Sequence, residues 1–124
     1  MRHDCATNNV VANVVSLDWF RPDTNFLIPC EHIVVIAGDV LYKKSLITPF
    51  MSTSKLLLSC PGSKMLLCHV PRAGVSQEDV QHAAEETGLH VEKIGRELWE
   101  SESLQQHASQ EEIHSAELYS LRVV

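Results

Sequence analysis

The chain has no run of basic residues longer than Lys43-Lys44. Binding a nucleic-acid backbone takes clustered Lys and Arg to displace counterions. With a net charge of −6, nucleic acid is disfavoured as a partner, while a protein substrate stays open. No stretch reaches the roughly 18 apolar residues of a membrane span, so no membrane partner is expected. The opening Met1-Arg2-His3-Asp4-Cys5 lacks the apolar centre of a secretory signal. The four cysteines, Cys5, Cys30, Cys60 and Cys68, show no C-x-x-C spacing. That pattern suits reduced thiols in a cytoplasmic or nuclear protein and argues against a zinc site. His82, His90, His107 and His114 have no spacing for a metal or a catalytic dyad, so no metal is expected. G-x-S-x-G, H-E-x-x-H and the P-loop are all absent, as are internal repeats.

What is present reads as one soluble α/β domain. Hydrophobic content is 44% and charged content 21%, ordinary for a globular chain of this length. Val34-Val35-Ile36-Ala37 is an unbroken apolar run of stiff, strand-favouring residues. Without polar alternation it predicts a strand over Ile33 to Ala37, buried on both faces as in a parallel sheet. Asn9 to Trp19 predicts a helix end followed by a strand at Val14 to Leu17. Pro49 tolerates only the first turn of a helix, which places one from Ser45 or Thr48 to Leu58 with Phe50, Leu56 and Leu57 buried.

Cys60-Pro61-Gly62-Ser63 stops that helix, and Lys64 to Val70 is the next buried strand. Ser76 followed by Glu78 and Asp79 starts a second helix, and Gly88 ends it. Leu89 to Ile94 alternates as a half-exposed strand does, and so does Ala116 to Val124. The two make an antiparallel pair joined by a polar excursion, Glu97 to Glu112, read as a loop with one helical turn. In an open α/β sheet, ligands bind beyond the carboxyl ends of the strands. Asp39 falls at that rim, and Tyr42 follows it at D-x-x-Y spacing.

Leu17-Asp18-Trp19, then Ala37-Gly38-Asp39-Val40-Leu41-Tyr42, then the helix over Leu46 to Leu58 resemble the seven-β-strand (class I) S-adenosylmethionine-dependent protein methyltransferases. The likeness is to the protein-lysine branch, which carries a D-x-x-Y signature after its fourth strand. It covers Asn9 to Val124 but only the C-terminal half of that Rossmann-like fold, closing in an antiparallel hairpin. The glycine-rich cofactor loop and the ribose-binding acid of the first half are absent. The resemblance implies a truncated methyltransferase using S-adenosylmethionine to methylate a protein, on lysine. The alternative is a catalytically inactive fragment that acts as a protein-binding module.

In that reading Asp39 holds the acceptor amine, and in the plain one it caps the following helix. Tyr42 offers its ring face to a cation or packs at the sheet edge. Trp19 packs near the adenine or belongs to the core, and Asp18 bonds the adenine amino group or closes a turn. Gly38 leaves room for the cofactor or allows a close backbone approach. His69 and Arg72 are expected at the same rim, Arg72 either positioning substrate or, more commonly for such a residue, as a solvated loop residue. With its first-half neighbours missing, the Val34 strand presents an unpaired apolar edge that invites self-association.

Overall fold

Val34 to Gly38 forms a strand (β1, Val34–Gly38) because its β-branched residues fit a pleated backbone, and it pairs in parallel with β2 (Lys64–His69). In this computed structural model the described residues are 12–27, 31–100 and 110–124. The crossover from β1 to β2 is a 3-10 turn, Lys44–Leu46, followed by helix α1 (Ile47–Leu57). Helix α2 (Gln77–Thr87) leads into β3 (Leu89–Ile94). A second 3-10 turn, Arg96–Leu98, precedes α3 (Gln110–Ser115) and β4 (Glu117–Val123). The sheet order is β1-β2-β4-β3. β4 is antiparallel to both neighbours, Leu67 opposite Tyr119 on one side and Val91 opposite Leu121 on the other. The last strand is therefore inserted against the grain of an otherwise parallel sheet. Among the described residues, no helix is long and apolar enough to cross a membrane.

The helix boundaries follow local chemistry. Pro49 sits in the first turn of α1, where its missing N–H would have no intrahelical partner. At α2, Ser76 accepts from the Asp79 N–H at 3.1 Å while the Asp79 carboxylate accepts from the Ser76 N–H at 3.0 Å, a complete capping box. Gly88 takes φ 91° at the other end, a left-handed cap open to glycine at no steric cost.

Both long helices cover one face of the sheet. Ala37, Met65, Leu67, Leu89, Tyr119 and Leu121 meet Ile47, Phe50, Met51, Val80 and Ala84 there. The stripe on α1 is Ile47, Phe50, Met51, Ser54 and Leu58, at helical spacing, so Leu56 falls on the opposite side and is 47% exposed. A polar network pins this core. The Tyr119 hydroxyl donates to Gln77 Oε1 at 2.6 Å, and Gln77 Nε2 donates to the carbonyls of His69 and Ser115.

Besides Leu56, expected buried and found exposed, three further expectations need correction here. β1 is buried on one face only, with Val34 55% and Ile36 81% exposed, because α3, the one described helix on that side, sits beside Cys68 and Leu118 of β2 and β4 and does not cover Val34 or Ile36. Residues 12–18 form no strand; their backbone joins no ladder and ends in a turn in which the Arg21 N–H bonds the Asp18 carbonyl at 3.2 Å. The polar excursion before β4 holds a full short helix, α3, whose last carbonyls are collected by Arg96. Its guanidinium donates to Ile113 and His114 and, at 2.9 Å, to Ala116. The expected helix end before Asn13 lies largely outside the described residues.

Candidate functional site

Asp39 leaves β1 with φ 51°, a left-handed conformation uncommon for a residue with a Cβ. Its N–H still reaches Cys68 at 3.0 Å and so extends the β1–β2 ladder by one step. The turn throws the carboxylate outward over the carboxyl rim. There both of its oxygens accept from Arg72 Nε, at 3.2 and 3.1 Å, with the two side chains about half exposed. Arg72 is held in place by a two-residue turn of Ala73 (φ 50°) and Gly74 (φ 79°), closed by the Val75 N–H on the Arg72 carbonyl at 2.8 Å. Two positive-φ residues with side chains, Asp39 and Ala73, flank one ion pair. Backbone strain of this kind concentrates where structure serves a site.

Asp39 caps nothing. Neither the 3-10 turn nor α1 has a side-chain cap, and the residue before each, Lys43 and Leu46, makes no such bond. Tyr42 stands on the same exposed rim, 55% accessible, while Leu41 beside it is fully buried. At Gly38 an added Cβ would meet nothing within 4 Å. The glycine is not demanded by packing among the described residues, and the space over it is open.

Trp19 packs its ring edge-on against Phe50, centroids 4.9 Å apart, and its carbonyl accepts from Thr53 Oγ1 at 3.2 Å. It is part of the core margin and stays partly accessible. Asp18 turns back on its own backbone, its Oδ1 accepting from the Phe20 N–H at 2.9 Å. His69 departs from expectation. It is buried on the helix-covered face, and its Nε2–H donates to the Val75 carbonyl at 3.0 Å. The cause is parity: in a strand alternate side chains share a face, so His69 follows Met65 and Leu67 inward.

On the other face, next to Gly38, lies a mainly apolar cleft of about 350 Å³ lined by Cys68, Val70, Trp99, Ile113, Ala116 and Leu118, with Glu112 as its one charged residue. Gly38 is opposite Cys68, and Cys68 opposite Leu118, so the open space at Gly38 borders this cleft. Burial, with a smaller contribution from the Asp39 carboxylate, pushes the Cys68 thiol upward from its ordinary value. A thiol held protonated is a poor nucleophile. Trp99 and its cleft were not legible as a site; only the apolar run into Val70 hinted at one wall. Among the described residues no three His, Cys, Asp or Glu converge as metal ligands do. Neither a scan of protein-family models nor a search of curated proteins yields a match to this chain.

Proposed function

We propose that this chain is the second half of an S-adenosylmethionine-dependent methyltransferase domain, acting on a lysine side chain of a protein. The observation that carries the reading is Asp39, a carboxylate at the carboxyl rim of a β strand, already holding a cationic side chain with both oxygens. In-line displacement at a methyl carbon needs an amine held close and aligned, which is work for an oriented carboxylate. An acceptor ammonium would take the place of the Arg72 guanidinium on Asp39 and lose a proton to solvent at this half-exposed rim, giving the neutral amine that displacement requires. The cleft beside Gly38 would receive the aliphatic stem of the lysine. Tyr42 walls the approach from the solvent side. The antiparallel strand inserted next to the end of a parallel sheet is the feature by which the methyltransferase-like fold departs from an ordinary doubly wound one.

The residues at the rim fit one side of the cofactor. The open space over Gly38 accepts the adenosyl group, and Trp19 is near enough to the surface to pack on adenine. Asp18, its carboxylate engaged by the Phe20 N–H, offers its remaining oxygen to the adenine amino group. When bound, S-adenosylmethionine supplies an electrophilic methyl group. The glycine-rich cofactor loop and the ribose-binding acid are not in these 124 residues, so the chain by itself binds the cofactor weakly. Calorimetry with S-adenosylmethionine tests this; micromolar affinity in the 124-residue chain overturns the incomplete pocket. A protein-binding module is the second reading, favoured by the exposed Val34 and Ile36 on an edge strand.

A further inference from the structure

The face of the sheet that the long helices leave open carries a second feature, far from the rim. Lys64 begins β2, and continuing the register one step from the Met65–Leu121 rung sets it opposite Arg122 on β4. Arg122 is in turn opposite His90 on β3. The three side chains form one row across three adjacent strands, about 10 Å from end to end at the usual strand spacing. They line a groove of about 690 Å³, floored on one side by the Cys60-Pro61-Gly62 turn and bearing the Ser120 hydroxyl.

Like charges directly opposite on neighbouring strands are destabilising. Among the described residues neither Lys64 nor Arg122 has an ion-pair partner. The one acidic side chain on the groove wall, Glu92, is bonded to His90 at 2.9 Å and so is spoken for. The chain as a whole carries −6, so two unpaired cations set side by side in a concavity run against its overall charge.

We propose that this groove binds a phosphate group. A phosphate dianion carries about −1.5 to −2 charge and three acceptor oxygens, which matches two cations on adjacent strands. A single carboxylate leaves one of them uncompensated. Its source is a free phosphate monoester or a phosphorylated side chain. The overall negative charge of the chain disfavours long polyanions.

The test is an NMR titration of the 124-residue chain with inorganic phosphate at constant ionic strength, following the Arg122, Lys64 and His90 signals. Saturable shifts with Kd on the order of 1 mM are expected, the level two charge-assisted contacts in an open groove support. Lys64→Gln and Arg122→Gln each weaken binding roughly tenfold. Glu92→Gln, which removes the one acid without touching the proposed contacts, tightens it about two- to threefold. A phosphoserine peptide binding more tightly than inorganic phosphate assigns the group to a phosphorylated partner, and equal affinities assign it to a free monoester. Shifts that do not saturate, that sodium chloride reproduces, or that survive in the Lys64→Gln/Arg122→Gln double variant overturn the proposal. So does weaker binding in Glu92→Gln.

Discussion

Replacing Asp39 separates what its backbone costs from what its carboxylate does. Asp39→Gly and Asp39→Ala both lose the Arg72 ion pair, so their difference isolates the left-handed backbone at φ 51°. Alanine there is about 1 kcal/mol less stable than glycine, because its Cβ crowds the following carbonyl. Asp39→Asn keeps a side chain that tolerates this region and removes only the charge. The lost pair is half exposed, so this variant falls within about 0.5 kcal/mol of wild type. Urea unfolding followed by fluorescence of Trp19 and Trp99 reads all three. With a slope of about 2 kcal/mol/M, the alanine midpoint lies about 0.5 M below the glycine midpoint. The small gap between Asp39→Asn and wild type closes in high salt, where exposed charges are screened. Alanine and glycine variants of equal stability refute the strained-turn account of the rim. So does an asparagine variant as unstable as alanine.

Tyr119→Phe strands Gln77 Oε1 without its 2.6 Å donor and costs about 1 kcal/mol in urea unfolding. Burial, countered by the Gln81 donor and reinforced by Glu117, raises the Tyr119 phenol above its ordinary value of 10.0. Its contribution is therefore complete below pH 10.0 and is lost as pH rises through the folded value, a loss absent in Tyr119→Phe. Ser76→Ala removes the cap of α2 and costs about 1 kcal/mol in thermal unfolding. The backbone and hydroxyl of Ser76 hold Asp79 below its ordinary 3.8, so that stabilisation is present above pH 3.8 and lost as pH falls through the folded value. Ser76→Ala leaves the backbone N–H on the Asp79 carboxylate, so the acid limb is tested by Asp79→Asn, in which it disappears; a limb unchanged in Asp79→Asn contradicts the account. Ile36 is 81% exposed on the sheet edge, where an uncovered apolar strand invites pairing; the expected outcome of Ile36→Lys is a lower mass than wild type by light scattering, and an unchanged mass contradicts a contact through this edge.

The elements written into local chemistry were legible. Gly88 and Ser76 mark the ends of α2 because a left-handed cap and an N-cap hydroxyl depend on one or two residues. The alternation of Leu89 to Ile94 and of Ala116 to Val124 pointed to the antiparallel pair, whose second strand the structure places at Glu117–Val123. Features set by distant residues were not. A helix over Gln110–Ser115 has no apolar period, and it owes its end to Arg96 gathering its carbonyls from elsewhere in the chain. The apolar run at Val34 reads as buried on both faces, yet whether a helix covers the second face is a property of other segments. At the rim, the D-x-x-Y spacing pointed to Asp39 and Tyr42. The partner of Asp39, Arg72, is 33 residues away and meets it only through the Ala73-Gly74 turn. His69 was expected beside them because strand parity across the end of β2 is hard to fix from sequence when the run is apolar throughout.

The claim that Asp39 is an acceptor-binding carboxylate is tested most directly by methyl transfer. The chain joined to a first-half segment bearing a G-x-G loop is supplied with radiolabelled S-adenosylmethionine and a lysine-containing protein acceptor. Transfer is expected, reduced by roughly 100-fold in Asp39→Ala through loss of alignment, with cofactor affinity unchanged by calorimetry. Undiminished transfer in Asp39→Ala, or a variant that loses the cofactor while its turnover stands, contradicts it.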